Sequence, residues 1–471
     1  MAMMGIAEAA RAIDGGIRGG DAVFDAVNTD SRSIRRGDLF VALKGERFDG
    51  HRFIAQAAAA GAVAAMVEEG QAATGLPLLI VKNTRHALGR LAAYWRGKFT
   101  LPLVALTGSS GKTTVKEMLA GILREAVRAE SRIADSGSGV LATRGNLNND
   151  IGVPLMLLEL RPEHRYAVIE MGMNHAGEIR HLTQLAAPDV ALVNNAGHAH
   201  IEFLGSEEAI ARAKGEIFEG LKADGTAVIN ADEQFSALWR SLASGKKQIE
   251  FGIEQPAAVT ATYRLRYLES EIVVKTPRGK VSATLRAAGL HNVRNALAAS
   301  AAAAALDVAP NAIGAGLSRF SGVKGRLQKT ACMHGATLID DTYNANPESV
   351  RAAIAVLAQA PGRTLLVLGD MGELGPGASA LHAEIGVCAR EAGIGRLFAF
   401  GELAAHAVRA FGKGASHFPR IEELLAEVEN TLAPDVTLLV KGSRFMQMER
   451  IVKAFALEGE ARSERRAEET P

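Results

Sequence analysis

The stretch LPLVALTGSSGKTTVKEMLAGIL, residues 101–123, decides how this chain is read. LPLVAL is a short apolar run of the kind that forms a strand buried inside a parallel sheet. From Val115 onward the apolar residues Val115, Met118, Leu119 and Ile122 recur at helical spacing and make one stripe. Between strand and helix lie Thr107, Gly108, Ser109, Ser110, Gly111, Lys112, Thr113 and Thr114. In that setting backbone N–H groups and the positive end of the helix dipole can surround phosphate oxygens. Lys112 can neutralise phosphate charge, and the Thr113 hydroxyl can bind Mg²⁺. The common phosphate-loop pattern puts a glycine five residues before the Gly-Lys pair. Here that position is Leu106, and Gly108 lies only three residues ahead of Gly111. The loop is therefore a shortened one, with an ordinary Gly/Ser turn as the bland alternative.

The chain around it has 471 residues, enough for about three domains of roughly 150 residues each. With 53 basic and 52 acidic side chains the net charge is +1, so no global field attracts nucleic acid or an anionic membrane. Neither is expected as a partner. Cys332 and Cys388 lack metal-ligand spacing and fit a reducing compartment, as plain core residues. The opening MAMMGIAEAARAID has no basic n-region, and its apolar residues are interrupted by Glu8, Arg11 and Asp14, unlike a signal peptide. The Ala-rich run FIAQAAAAGAVAAMV falls short of the ~20 apolar residues a membrane span needs. A soluble, cytoplasmic and monomeric protein is the expectation.

Short β-rich runs alternate with longer helical patterns, the signature of α/β layers with parallel sheets. LFVAL, LPLVAL, YAVIEM, DVALVNN, TAVIN, TLLVLGD, LFAF and VTLLV are candidate strands; residues 53–66 and 295–306 are candidate helices. Breaks at YWRGKFT near residue 98 and at SRFSGVKGRLQ near residue 322 predict units of 1–98, 99–322 and 323–458. Residues 459–471 lack apolar periodicity and read as a solvated tail.

Three residues qualify as candidates for chemistry near the loop. Glu170 ends the run YAVIE, at the edge where parallel sheets present ligands, although many strand-end carboxylates are merely solvated. His200 follows the run DVALV in the same way, and an isolated histidine is often structural. Lys214 has Ile210, Ile217 and Phe218 as its helical neighbours, so it projects from an apolar face. Either it snorkels or its charge has been altered chemically.

TGSSGKTT, GNLNNDIGVP, EMGMNHAGEI, AHIEFLGS, ARAKGEIF, HNVRNALAA, GRLQ, IDDTYNANPES, LGDMGELG and KGSRFMQME occur in this order. Together they resemble the Mur ligases, a family whose shortened TGxxGK[ST] loop accounts for the spacing of residues 107–113. The resemblance spans residues of about 28 to 450. It implies a smaller N-terminal α/β uridine-nucleotide domain, a central parallel-sheet ATPase domain and a C-terminal Rossmann-like closing domain. The YNANP segment points within the family to ATP-dependent addition of D-alanyl-D-alanine to a UDP-N-acetylmuramoyl-tripeptide. The family member that adds the third residue carries a DNPR motif absent from this sequence, and folylpolyglutamate synthase shares the loop without the N-terminal domain.

Site residues follow from the same resemblance. NTDSRSIRRGDLFVALKGERFDGH places Thr29, Ser31, Arg32, Lys44, Asp49 and His51 near the UDP-sugar, although these types are also ordinary turn formers. Lys112 is expected on the ATP phosphates, Thr113 and Glu170 on one Mg²⁺, and His200 on a second. Lys214 matches the family's carbamylated lysine, an anionic carbamate in place of an ammonium. Asn146, Asn148 and Asn149 match the loop approaching the acceptor, and Asn292 and Asn295 the nucleotide-base side. Arg326 and Asp341 match residues reaching ATP on closure, while Tyr343, Asn344 and Asn346 match the D-alanyl-D-alanine segment.

Overall fold

The computed structural model describes residues 2–46, 48–71, 75–131, 139–197 and 204–457. Three larger sheets organise them. The first has the order Gly16–Arg18, Leu78–Val81, Ala64–Glu68, Asp38–Val41, Ala26–Asn28, parallel except for its first pair. The second is wholly parallel, in the order Lys247–Phe251, Thr226–Asn230, Val190–Val193, Leu103–Thr107, Tyr166–Glu170, Val140–Ala142. The third runs Gln328–Ala331, Thr337–Asp341, Val436–Lys441, Arg363–Gly369, Arg396–Phe400, Ala415–Phe418, parallel except for its edge strand.

The second sheet positions the site. Leu103, Val104, Ala105 and Leu106 are fully buried because helices cover both faces. Burial of each large apolar side chain contributes about 1.5–3 kcal/mol. After Tyr166–Glu170 the chain crosses to the other side of Leu103–Thr107 to form Val190–Val193. The order therefore reverses at the strand that feeds the glycine loop, and such a switch point opens a crevice at the carboxyl ends of the strands. The helix Lys112–Ser131 begins directly after Gly111. It packs with the Ala-rich helix Leu290–Ala305 and with Pro310–Arg319, around Val115, Met118, Leu119 and Ile122.

Two features depart from the sequence expectations. Residues 53–66 are not one helix: a short helix, Ile54–Ala59, gives way to the buried strand Ala64–Glu68. Gly61, at φ +107°, reverses the chain between them, and Ala64 to Val67 then enter a sheet covered on both faces. Thr260–Arg266, Glu269–Thr276 and Gly279–Leu285 form an antiparallel meander that the run of candidate strands did not include. Ile272, Val274, Ala283 and Leu285 are buried, but so are Ser270 and Thr276, while Tyr263 and Val273 are exposed, so its pattern is weaker than the continuous apolar runs elsewhere. Cys332 is buried and Cys388 partly so, both as free thiols. No helix among the described residues is long and apolar enough to cross a membrane.

Candidate functional site

The shortened loop is held in shape from the neighbouring strand end. Ser109 N–H donates to the Asn195 carbonyl at 3.1 Å, and the Asn195 side chain accepts from Ser110 N–H at 2.8 Å. Asn194 Nδ2 donates to the Ser110 carbonyl at 3.0 Å and to Asn295 Oδ1 at 3.1 Å. Asn295 in turn donates to Asn292 Oδ1 at 3.2 Å. Gly111, at φ +77°, presses so close to this network that a Cβ there would lie 2.3 Å from Asn295 Oδ1. The loop can be short because amide side chains from two other elements supply its outer wall.

Charge collects around it. Lys112 Nζ donates to the Gly108 carbonyl at 2.7 Å, and burial pulls its pKa down, opposed by Glu170 and reinforced by Arg326. Glu170 is 2 % exposed; Oε1 accepts from Asn148 Nδ2 at 2.8 Å, while Oε2 is buried without a hydrogen-bond partner. The Thr113 hydroxyl accepts from Arg326 Nη2 at 3.1 Å, and the Arg326 guanidinium lies 4.3 Å from the centre of the Tyr343 ring. Lys214, 1 % exposed in the helix Glu207–Gly215, has no hydrogen-bond or ion-pair partner among the described residues. Burial first, and then the charge on Lys112, push its pKa well below the usual lysine range. Burial so favours the neutral, nucleophilic form of the Lys214 amine, and the cationic Lys112 and Arg326 near one another favour an anionic ligand.

Lys112, Glu170, Arg326 and Tyr343 open on a cleft of about 1140 Å³. Of the residues singled out from the sequence, Ser109, Ser110, Gly111, Lys112, Thr114, Asn146, Asn148, Asn149 and Glu170 line it from the second unit. Asn292 and Asn295 do so from the Ala-rich helix, and Arg326, Asp341, Tyr343, Asn344 and Asn346 from the far wall. Asn149 also accepts from Gly152 N–H at 2.8 Å, fixing the start of the helix Gly152–Leu158. Thr107 is fully buried and donates its hydroxyl to the Met171 carbonyl at 2.9 Å, so it ties strands together and does not face the cleft. Thr113 and Lys214 lie behind the lining, and His200 falls outside the described residues.

Thr29, Ser31, Arg32, Lys44, Asp49 and His51 are not part of this cleft; they lie on the first unit. Arg32 is exposed and pairs with Asp30 at 2.8 Å. Asp49 Oδ1 contacts His51 Nδ1 at 2.6 Å and caps the turn Gly50–Phe53, while His51 Nε2 accepts from Glu68 N–H at 3.0 Å. Asp49 and His51 thus have a clear local structural role. Asn194 and Asn195, which brace the loop, escaped the sequence reading; their only signal is an Asn pair directly after an apolar strand.

A hard cation would fit beside the loop. The unpartnered Glu170 oxygen and the Thr113 hydroxyl are oxygen donors, and Mg²⁺ is held by one or two carboxylates together with substrate phosphates.

Comparison with known proteins agrees with this geometry. Residues 23–96 match the family described as Mur ligase family, catalytic domain; residues 106–303 match the Mur ligase middle domain, and 325–444 the Mur ligase, glutamate ligase domain. The UDP-N-acetylmuramoyl-tripeptide–D-alanyl-D-alanine ligase of Escherichia coli is 43 % identical over 454 residues, 95 % of this chain and 97 % of its own. MurF from Acinetobacter baumannii superposes with a TM-score of 0.88 at 39 % identity, covering 96 % of this chain and 98 % of its own. MurF ligase from Thermotoga maritima, solved in complex with ADP, gives 0.77 at 27 % identity over 91 % and 96 %. Sequence likeness on this scale over all three sheets, joined to a phosphate loop of the shortened type, places the chain in the MurF-type branch of the Mur ligase family.

Proposed function

We propose that the cleft joins D-alanyl-D-alanine to a UDP-N-acetylmuramoyl-tripeptide at the expense of ATP, releasing ADP and phosphate. One observation carries the reading: the phosphate loop, the loop of residues 145–150 and the segment 343–346 meet in a single cavity. Relatives named UDP-N-acetylmuramoyl-tripeptide–D-alanyl-D-alanine ligase, from Escherichia coli and Haemophilus influenzae, match over 95 % and 91 % of this chain.

A free carboxylate is a poor electrophile, so the tripeptide's terminal carboxylate must first take the γ-phosphoryl group from ATP to become an acyl phosphate. Lys112 and Arg326 spread the charge on the transferring group. Attack by the dipeptide amine gives an anionic tetrahedral species and then expels phosphate. Asn148 holds one oxygen of Glu170, and the other, without a hydrogen-bond partner, could bind a cation. Mg²⁺ held by Thr113 and Glu170 would add charge neutralisation at the phosphates, and a second ion is assigned to His200 and Lys214. Lys214 serves there as a carbamate: its neutral amine attacks CO₂, a C–N bond forms and one proton leaves. This replaces an amine whose cationic form burial disfavours with an anion that a metal could pair.

We assign the UDP-sugar to the first unit, near 1–98, on Thr29, Ser31, Arg32, Lys44, Asp49 and His51. ATP falls to the second, 99–322, and closure to the third, 323–458. Closure excludes the water that would hydrolyse an acyl phosphate.

The test supplies ATP, Mg²⁺, the UDP-muramoyl-tripeptide and D-alanyl-D-alanine, and follows ADP, phosphate and pentapeptide product. ADP release that depends on both peptide substrates is expected. Well-folded protein without dipeptide-dependent turnover would overturn the reading.

A further inference from the structure

The wall of the cleft formed by residues 343–346 hangs from a neighbouring strand end. Lys441 closes the strand Val436–Lys441, in register beside Asp341. Its ammonium, 2 % exposed, sits 2.6 Å from Asp341 Oδ2 and donates to the Asn344 carbonyl at 2.9 Å. Two residues later the buried Ser443 hydroxyl donates to the Ala345 carbonyl at 3.1 Å and accepts from Gly372 N–H at 2.8 Å. Ser443 is itself anchored, because its N–H donates to the Asp370 carbonyl at 3.0 Å. Consecutive carbonyls, those of Asn344 and Ala345, are thus held by side chains of one short strap. At Asn346 the side chain divides its work: Oδ1 accepts from Ser349 N–H at 2.8 Å to cap the helix Pro347–Leu357, and Nδ2 donates to Ser110 Oγ at 3.1 Å.

A buried ion pair is weak evidence for stability, since packed apolar side chains of similar volume often serve the fold as well. What Lys441 supplies that an apolar residue could not is a fixed direction for a polar backbone. Asp341, which it pairs, also accepts from Leu327 N–H at 3.1 Å, beside Arg326. The strap therefore sets the backbone of 344–345 from the third unit, while Asn346 ties the next residue to the phosphate loop.

We propose that Lys441 and Ser443 are positioning residues for the acceptor dipeptide, acting through the Asn344 and Ala345 carbonyls they hold. The proposal rests on the ligase reading of the cleft. Neither residue needs to touch the dipeptide. Their effect is to fix the segment against which its amine is aimed, and misplacement of such a segment is felt in binding and turnover of that one substrate.

The experiment measures KM separately for D-alanyl-D-alanine, ATP and the UDP-muramoyl-tripeptide in Ser443→Ala, Ser443→Thr and Lys441→Met, with thermal melting of each. For Ser443→Ala the dipeptide KM should rise about tenfold with the ATP KM within about twofold, as expected for one lost buried hydrogen bond. Ser443→Thr, which keeps the hydroxyl, should stay near wild type. Lys441→Met should raise the dipeptide KM further and also lower Tm, because Asp341 loses its partner. An unchanged dipeptide KM in folded Ser443→Ala and Lys441→Met, or an equal rise for all three substrates, would overturn the positioning role while leaving the ligase reading intact. Wild-type protein without dipeptide-dependent ADP release would overturn both.

Discussion

At the scale of single residues, Gly111 and Lys214 carry the sharpest consequences. A methyl group on Gly111 would be forced against Asn295 Oδ1 in a backbone conformation that L-residues rarely adopt. Gly111→Ala should therefore cost about 1–3 kcal/mol of stability and most of the nucleotide affinity. Urea unfolding and ADP calorimetry on the same protein would test this, and wild-type affinity would show that the loop tolerates the clash. Lys214→Ala should lower kcat at least about a hundredfold, the scale on which a lost metal-site group acts. A short carboxylic acid added to the variant should restore part of the rate, and an alanine variant as fast as wild type would remove the carbamate from the mechanism. The burial of Lys214 was legible in the sequence because its helical neighbours Ile210, Ile217 and Phe218 are apolar. Asn194 and Asn195 were not. Their function is to brace a loop 84 to 86 residues away in the chain, and no local pattern encodes a partner that distant.

At the scale of elements, continuous apolar runs were read correctly where both sheet faces are covered, as in Thr226–Asn230, which coincides with the predicted TAVIN. The Ala-rich stretch of residues 53–66 misled because alanine fits helix and buried strand alike, and only Gly61 marks the break. The helix Ala378–Glu391 shows a different dependence, on one buried imidazole. His382 is fully buried; Nδ1 donates to the Ala378 carbonyl at 2.7 Å, and Nε2 accepts from Met371 N–H at 2.9 Å. That pairing requires the neutral ring. Burial holds its pKa below the ordinary 6.5, only partly offset by the Ala378 hydrogen bond and by Asp370. A histidine with a depressed folded-state pKa binds fewer protons folded than unfolded, so its contribution is complete above 6.5 and is lost as pH falls below it. Unfolding free energy from urea titrations should thus decline as pH falls below about 6.5. His382→Gln keeps an acceptor for Met371 N–H without the titration and should flatten part of that slope. An identical slope in the variant would assign it to other groups.

At the scale of the whole molecule, the third unit already touches the phosphate loop through two side chains. Arg326 donates to Thr113 Oγ1 at 3.1 Å and Asn346 donates to Ser110 Oγ at 3.1 Å. Both contacts reach residues that a nucleotide would engage, so phosphate binding and docking of the third unit compete for or share the same polar atoms. Asn346→Asp separates the cap from the docking contact. Aspartate accepts from Ser349 N–H as well as asparagine does, so the helix should lose no more than about 0.5 kcal/mol. The donor to Ser110 disappears, and a carboxylate now faces the loop that holds phosphates, where like charges repel. The ATP KM should rise about tenfold with Tm nearly unchanged, the size expected for loss of one hydrogen bond plus an opposed charge. Small-angle X-ray scattering should at the same time show a larger radius of gyration than the wild type, because one of the ties between the units is lost. A variant with raised ATP KM and an unchanged radius of gyration would mean that the remaining ties, Arg326 to Thr113 and Tyr267 to Thr437 among them, suffice to hold the units together, and that Asn346 acts on the loop without acting on closure.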